Sequence, residues 1–311
     1  MQRNSGNPFT RPETCAPGGF LLSTGLHRRG AFWLVAAVLL CDCKGFATEL
    51  APREGVVFAS AVSSNYGSGK SLRGWESTSL AVQATLAEWH QTPRMKPTLT
   101  ARDPSPEGLK QFLRELPGAD SGKIEIIYLA AQHTPAGAWQ FTGRGVGAHA
   151  WNDLLQNAPP PHPCRLVILD VCHAAAVTQL PAWTEKMDAS ATLLASARDE
   201  VTWELDFTKR QPVDLPARFP ATTAWLKQHL PTTWDGRLSY LGVIWVQAYL
   251  QTPQPPRTRR EWQSFFGRCE TESRKFQQQV GRKRASTMGQ FPAAPWPGSP
   301  CPKTSLKRNL K

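Results

Sequence analysis

The chain has 311 residues, 41% of them apolar, and a formal net charge of +12. This length allows one large domain or two small ones, and the apolar fraction is enough to bury a core. Residues 255–311 contain 13 Lys or Arg against 3 acidic residues, a net charge of +10. The basic character therefore belongs to the C-terminus, and the near-neutral remainder gives no sign of a nucleic-acid-binding domain.

The N-terminal residues have the three parts of an export signal. A basic patch at residues 27–29 precedes an apolar run, Ala31 to Cys41, and a small-residue site that ends at Ala47. Eleven apolar residues are too few for a membrane anchor but suit a cleaved signal peptide. We expect residues 1–47 to be a signal peptide with a long leader. The mature chain is then exported, to the periplasm or out of the cell.

Cleavage at Ala47 would leave four cysteines, namely Cys164, Cys172, Cys269 and Cys301. Four scattered cysteines are too few for a scaffold built on disulfides. The pattern fits one reactive thiol among incidental ones.

Strands alternate with helices along the rest of the chain. Apolar, β-branched runs predict strands at 56–62, 124–131, 165–171 and 192–197, with an edge strand at 96–101. Capping residues and apolar positions at helical spacing predict helices at about 77–90, 103–116, 151–155, 225–230, 238–250 and 261–280. This order predicts an α/β fold: a doubly wound, mainly parallel sheet with helices on both faces.

Two other segments have distinctive compositions. The loop from Ser63 to Gly74 contains Gly69-Lys70-Ser71, the end of a phosphate-binding loop, but Ser64 stands where that motif needs a glycine. An ordinary surface loop is expected there. Beyond residue 251, Pro and Arg predominate. We predict a linker and C-terminal helix over 251–280 and a disordered, solvated basic tail over 281–311.

Two predicted strands end in residues suited to nucleophilic chemistry. RLVILDVCHAA, residues 165–175, brings Cys172 to a strand end, and IIYLAAQH does the same for His133. Catalytic groups collect at the carboxyl ends of parallel strands, and neighbouring strands lie about 4.8 Å apart. An imidazole beside a thiol helps to form the thiolate that attacks a carbonyl group. The alternative interpretation is that Cys172 is an inert, buried cysteine.

In order and spacing, these motifs resemble those of the caspase-like cysteine peptidases, the group of caspases, metacaspases, legumain and gingipain. ILDVCHAA is similar to the Asp-x-Cys-His motif of metacaspases, and IIYLAAQH to the strand that closes on the catalytic histidine. ASARDEVTWE, residues 195–204, is similar to the following strand and its acidic loop. The resemblance covers about residues 56–204.

The resemblance implies a caspase-like domain over residues 48–250 and a cysteine endopeptidase that acts on peptides or proteins. By carry-over, Cys172 is the nucleophile and His133 is the general base. The backbone N–H groups of Cys172 and Thr134 would form the oxyanion hole. Asp170 matches an acid that helps metacaspases to hold a basic P1 side chain, and it is the predicted substrate-binding residue.

Several positions depart from the family pattern. Thr134 stands in place of the usual glycine, and Ala174 and Ala175 replace a Ser-Gly pair. The second acid of the metacaspase pocket falls on Thr78, and Arg73 lies near the arginine of caspases without aligning with it. These departures motivate a second hypothesis, a catalytically inactive caspase-like domain that acts as a binding or regulatory module.

No cofactor or metal site is predicted, and the resemblance leaves calcium dependence open. His162 and His173 accompany Cys164 and Cys172 in sequence, but about 26 Å of strand separates the two cysteines, whereas zinc needs its sulfurs about 2.3 Å from the ion. The basic tail has few aromatic residues to stack on bases, so no nucleic-acid partner is expected. His149, deep in the loop after the second strand, is an alternative general base.

Overall fold

The computed structural model describes residues 56–66, 71–91, 99–117, 123–134, 138–141, 148–160, 164–187, 191–196, 201–209, 213–280 and 289–292. The predicted signal peptide, Cys301 and most of the predicted tail lie outside these ranges.

The strands are β1 (Val56–Val62), β2 (Leu99–Arg102), β3 (Ile124–Ala131), β4 (His133–Thr134), β5 (Ala138–Gln140), β6 (Ala148–Ala150), β7 (Arg165–Val171), β8 (Ala191–Leu194), β9 (Glu204–Asp206), β10 (Arg237–Ser239) and β11 (Gly289–Pro292). Six of them form the central sheet, in the order β2-β1-β3-β7-β8-β11. The first five are parallel, and β11 pairs antiparallel with β8. The doubly wound, mainly parallel sheet predicted from the sequence is confirmed.

The helices are α1 (Gly74–Trp89), α2 (Pro106–Arg114), α3 (Trp151–Leu155), α4 (Ala174–Val177), α5 (Leu215–Arg218), α6 (Pro220–His229), α7 (Tyr240–Leu250) and α8 (Arg259–Val280), with a π-helix at Trp183–Met187. No helix within the described ranges is long and apolar enough to cross a membrane.

Both faces of the sheet are covered by helices. Along β7, Leu166 and Ile168 point into a core shared with α1, α6, α7 and α8. Val167 and Leu169 point into a second core shared with α2 and α3. A strand buried on both faces has no polar face, which explains why β7 and β3 are almost continuously apolar in sequence.

The C-terminal tail differs from its prediction. Residues 281–311 were expected to be disordered throughout, but Gly289–Pro292 forms β11, with Gln290 opposite Leu193. A short strand at a sheet edge is stabilised by main-chain bonds to its neighbour, which local composition does not reveal.

Two helix starts also differ from the prediction. Helix α1 begins at Gly74, before the predicted Ser77 or Thr78 cap, because the carboxylate of Glu204 accepts the Gly74 N–H at 2.7 Å. At the other position, Leu238 belongs to β10, and the Ser239 side chain accepts the Gly242 N–H at 3.1 Å to cap α7. The first cap comes from a residue 130 positions away in sequence, so no local pattern could predict it.

Candidate active site

Cys172 lies directly after β7, at the carboxyl edge of the sheet. Strand β7 pairs with β3 in register from Glu125 opposite Arg165 to Ala131 opposite Val171, so the two strands end side by side. The Cys172 side chain is a thiol and is half-buried. The Cys172 side chain is therefore partly accessible to solvent.

The chain turns sharply behind Cys172. His173 has a φ of 56°, in the left-handed region, which lets α4 begin at the next residue. The Ser196 hydroxyl, just beyond β8, accepts the Ala174 N–H at 3.0 Å and donates to the Val171 carbonyl at 2.9 Å. Ser196, at the end of β8, thus holds the main chain on both sides of Cys172.

His133 follows β3 by one residue and begins a small antiparallel sheet of β4, β5 and β6. His133 pairs with Trp139 of β5, and Trp139 pairs in turn with His149 of β6. The main chain of His133 therefore leaves the strand next to the one that ends at Cys172. The side chains of His133 and Thr134 lie outside the described part of the chain, so the contact between imidazole and thiol remains a prediction.

The alternative base, His149, lies on β6 and is in register with Trp139 and, through it, with His133. Its ring meets Phe141 edge-on, with ring centroids 5.2 Å apart, and Phe141 belongs to the core beneath α2 and α3. Lys110 foremost, and then Arg114 and His149, lower the pKa of Glu107, on α2. His149 therefore lies on the side of the molecule that carries α2.

Asp170 is fully buried, two residues before Cys172. Its carboxylate accepts hydrogen bonds from the hydroxyls of Tyr128, at 2.8 Å, of Thr202, at 3.3 Å, and of Ser239. Burial raises the pKa of Asp170 to about 6, and the hydroxyl donors, Ser239 foremost, oppose that rise. The structure therefore places the predicted pocket acid within a buried cluster of hydroxyl groups.

Thr78, which the sequence aligns with the second acid of the metacaspase pocket, belongs to the same cluster. Its Oγ1 lies 2.9 Å from Ser239 Oγ and accepts the Ser239 N–H at 3.0 Å. Thr78 and Asp170 are therefore linked through Ser239, and a hydroxyl occupies the place of a second charge.

Glu204 provides another carboxylate at this edge of the sheet. It accepts the Gly74 N–H and, at 3.2 Å, a hydrogen bond from Arg237, and its side chain is 18% exposed. Burial raises the pKa of Glu204, and the Gly74 N–H and Arg237 oppose this. The segment before it is extended, with Val201 and Trp203 40% and 44% exposed on either side of buried Thr202.

A cleft of about 380 Å³ opens at the N-terminal end of α1. Its lining includes Arg73, Glu76, Arg102 and Trp234. Glu76 pairs with Arg102 at 2.5 Å and accepts a hydrogen bond from Ser64. The cleft therefore has one charge pair in its wall and an aromatic side chain beside it.

Tyr66 belongs to this region, although the sequence predicts only an ordinary surface loop around it. Its hydroxyl donates to the Ser63 carbonyl at 2.8 Å and accepts the Gln132 N–H at 2.6 Å. Burial raises the pKa of Tyr66, the Gln132 N–H lowers it, and the charges of Asp103 and Cys172 raise it further. The available signal was an aromatic residue close behind β1, a strand that ends next to β3.

The other cysteines and possible metal ligands lie apart from Cys172. Cys164, at the start of β7, takes part in a disulfide, and Cys269 is a buried thiol within α8. Cys164 is thus not one of the incidental cysteines expected from the sequence. No cluster of three or more His, Cys, Asp or Glu that could hold a metal ion occurs among the residues described.

Comparisons with known proteins find likenesses among solved structures only. No family model and no curated protein matches the sequence. Among solved structures, the chain is similar in fold to caspase-1 from Spodoptera frugiperda, with a TM-score of 0.45 and 7% sequence identity. The match covers 78% of this chain and 90% of that one.

Proposed function

We propose that this chain is a caspase-like cysteine endopeptidase in which Cys172 is the nucleophile and His133 is the general base. The observation that carries the proposal is a half-buried thiol at the carboxyl end of β7, next to the strand whose chain continues into His133. Such strand ends are where α/β folds bind their ligands. The turn held by Ser196 supports it further, because a nucleophile needs a fixed position.

In the proposed reaction, His133 accepts the thiol proton of Cys172, and the thiolate attacks the carbonyl carbon of the scissile peptide bond. The backbone N–H groups of Cys172 and Thr134 bind the resulting oxyanion. When the C–N bond breaks, the leaving amine takes the proton from His133 and a thioester remains. His133 then deprotonates water, which hydrolyses the thioester and restores the thiol.

The proposed substrate is a peptide with a basic P1 side chain. The support is the negative charge on this side of the sheet: Asp170 lies two residues before Cys172, and Glu204 lies two residues after Thr202, which donates to Asp170. Because Asp170 is enclosed by hydroxyl groups, Glu204 is the more accessible of the two carboxylates. The exposed Trp203 would pack against the residue that precedes P1.

Turnover of peptide fluorophores with Arg, Lys, Asp or Asn at P1 tests the proposal. We expect the wild type to cleave after Arg or Lys and Cys172→Ala to lose at least about 10⁴-fold in kcat. Cys269→Ala, which removes a buried thiol within α8, is the matched control and should retain turnover. If neither wild type nor Cys172→Ala hydrolyses any peptide, the peptidase proposal is rejected.

Labelling with an electrophilic peptide separates the enzyme from the alternative, an inactive binding module. Thr134, in place of the family's glycine, favours that alternative. A peptide aldehyde should modify Cys172 in an enzyme, because a peptide held next to an activated thiol reacts rapidly. Binding of the same peptide without modification, and without cleavage of its amide form, would favour the binding module.

A further inference from the structure

Tyr66 lies at the point where the connections of the central sheet diverge. From β1 the chain leads to β2 on one side, and β3 lies on the other, so β1 and β3 flank the topological switch point. In doubly wound sheets a crevice opens there, beyond the carboxyl ends of the strands. Main-chain pairing of the two strands ends with the Ser63 N–H donating to the Ala130 carbonyl at 2.8 Å. Tyr66 occupies the position just beyond this last bond.

The Tyr66 hydroxyl bridges the two strands where the ladder has ended. It is bonded to the Ser63 carbonyl on the β1 side and to the Gln132 N–H on the β3 side. The ring meets Trp75 of α1 edge-on, with centroids 6.4 Å apart. The Gln132 side chain is exposed. Tyr66 therefore holds the residue before His133 through its main chain.

The loop that carries Tyr66 is itself fixed. Asp103 Oδ1 accepts the backbone N–H groups of Ser64 and Asn65 at 2.7 and 2.9 Å. Burial foremost, and then the charges of Asp103 and Cys172, raise the pKa of Tyr66. Tyr66 thus lies between the ends of β1 and β3, and the chain that leaves β3 leads to His133, next to the strand that ends at Cys172.

We propose that Tyr66 is a positioning residue, which holds the Gln132 peptide and thereby sets where His133 stands relative to Cys172. This inference rests on the proposed function, because it concerns the alignment of the same two groups. Tyr66 acts through Gln132 and takes no part in bond making or breaking.

Kinetics of Tyr66→Phe and Tyr66→Leu test this inference. Phe keeps the ring against Trp75 and loses both hydrogen bonds, whereas Leu loses both the ring and the bonds. We expect both variants to lose about tenfold or more in kcat with little change in KM, because misalignment affects the chemical step. Tyr249→Phe, which removes a hydroxyl bonded to Glu88 near the far end of α7, is the control and should match wild type.

The pH dependence of Cys172 alkylation by iodoacetamide provides a second readout that needs no peptidase activity. If His133 stabilises the thiolate, alkylation of His133→Ala reaches its half-maximal rate at a higher pH than that of wild type. We expect Tyr66→Phe to shift in the same direction and Tyr249→Phe not to shift. Mass spectrometry assigns the modification to Cys172 rather than to buried Cys269.

Each outcome decides the inference. A wild-type kcat and alkylation profile for Tyr66→Phe would overturn it, and so would a defect limited to Tyr66→Leu, which would assign the effect to ring packing. If no variant cleaves any peptide, the proposed function fails, but the alkylation profiles still decide whether Tyr66 positions His133. If neither variant folds, Tyr66→3,5-difluorotyrosine replaces them, because it keeps the ring but weakens the hydroxyl as an acceptor. It should raise the pH of half-maximal Cys172 alkylation in the same way. An unchanged pH would overturn the inference.

Discussion

At the scale of the residue, Asp170 has a proposed role in substrate binding and also links several elements of the fold. In sequence it is the one acid in an apolar run, and it is a candidate for substrate binding because of the resemblance to metacaspases. In the structure its carboxylate joins β3, β7 and the start of α7 through Tyr128 and Ser239, whose side chains come from opposite parts of the chain. A buried carboxylate needs such donors, because an unpaired charge in a protein core is costly.

The raised pKa of Asp170 predicts a pH-dependent stability. Folded protein keeps this proton up to about pH 6, whereas the unfolded chain releases it near the usual value of 3.8. Because the folded state binds more protons between these values, stability should fall as pH rises through this window, by about 3 kcal/mol at most. Asp170→Asn should remove this fall.

Thermal unfolding of wild type and Asp170→Asn from pH 3.5 to 7 measures the effect. Asp153→Asn, at an exposed position in α3, controls for the loss of a negative charge. Parallel melting curves of wild type and Asp170→Asn across this range would show that Asp170 is ionised at the same pH in the folded and unfolded states.

At the scale of the element, α7 is packed directly against α1 at Gly242. A Cβ atom there would lie 2.3 Å from Thr78 Oγ1 and 2.8 Å from Thr78 Cγ2, whereas Gly108 in α2 has no neighbour closer than 3.4 Å. The hydroxyl cluster around Asp170 depends on this close approach, because Thr78 bonds to Ser239 across the same contact. The absence of a side chain at Gly242 therefore allows α7 to lie this close to α1.

Gly242→Ala and Gly108→Ala should have opposite effects on stability. Alanine favours a helix by up to about 1 kcal/mol over glycine, so Gly108→Ala should raise the free energy of unfolding. At Gly242 the clash outweighs that gain, and we expect a net loss of about 1–3 kcal/mol. Urea unfolding measures both; a stabilising effect of Gly242→Ala would contradict the packing described.

At the scale of the whole molecule, β11 completes the sheet beside the candidate site. It pairs with β8, and Ser196 just beyond β8 holds the turn at Cys172. Without β11, β8 would become an exposed, apolar edge strand, and such edges promote self-association.

Two truncations test this role of the C-terminus. Removal of residues 281–311 should lower the free energy of unfolding by about 2–4 kcal/mol, from four lost residues of ladder at about 1 kcal/mol per hydrogen bond, and should cause concentration-dependent association. With a reductant present throughout, so that the disulfide of Cys164 is open in every chain, removal of residues 293–311, which keeps β11, should do neither. Sedimentation velocity and chemical denaturation give the comparison, and equal behaviour of the two truncations would contradict a stabilising β11.

The sequence by itself determined the strands of the core and the two residues at their ends. Strands β1, β3 and β7 have the predicted bounds, because a strand buried on both faces is a local, continuous apolar signal. Since Cys172 directly follows one such strand and His133 follows another after one residue, their place at the sheet edge could be predicted as well. The alternating pattern of strands and helices was enough for the fold class.

Only the tertiary structure decided what surrounds these strand ends. Tyr66 bonds to Gln132, 66 residues away, and Asp170 bonds to Ser239, 69 residues away. The Glu204 cap on α1, 130 positions from Gly74, and the pairing of β11 with β8 are still more distant in sequence. A hydrogen bond depends on where the sheet order brings two groups, and that order follows from packing of the whole chain rather than from any local pattern.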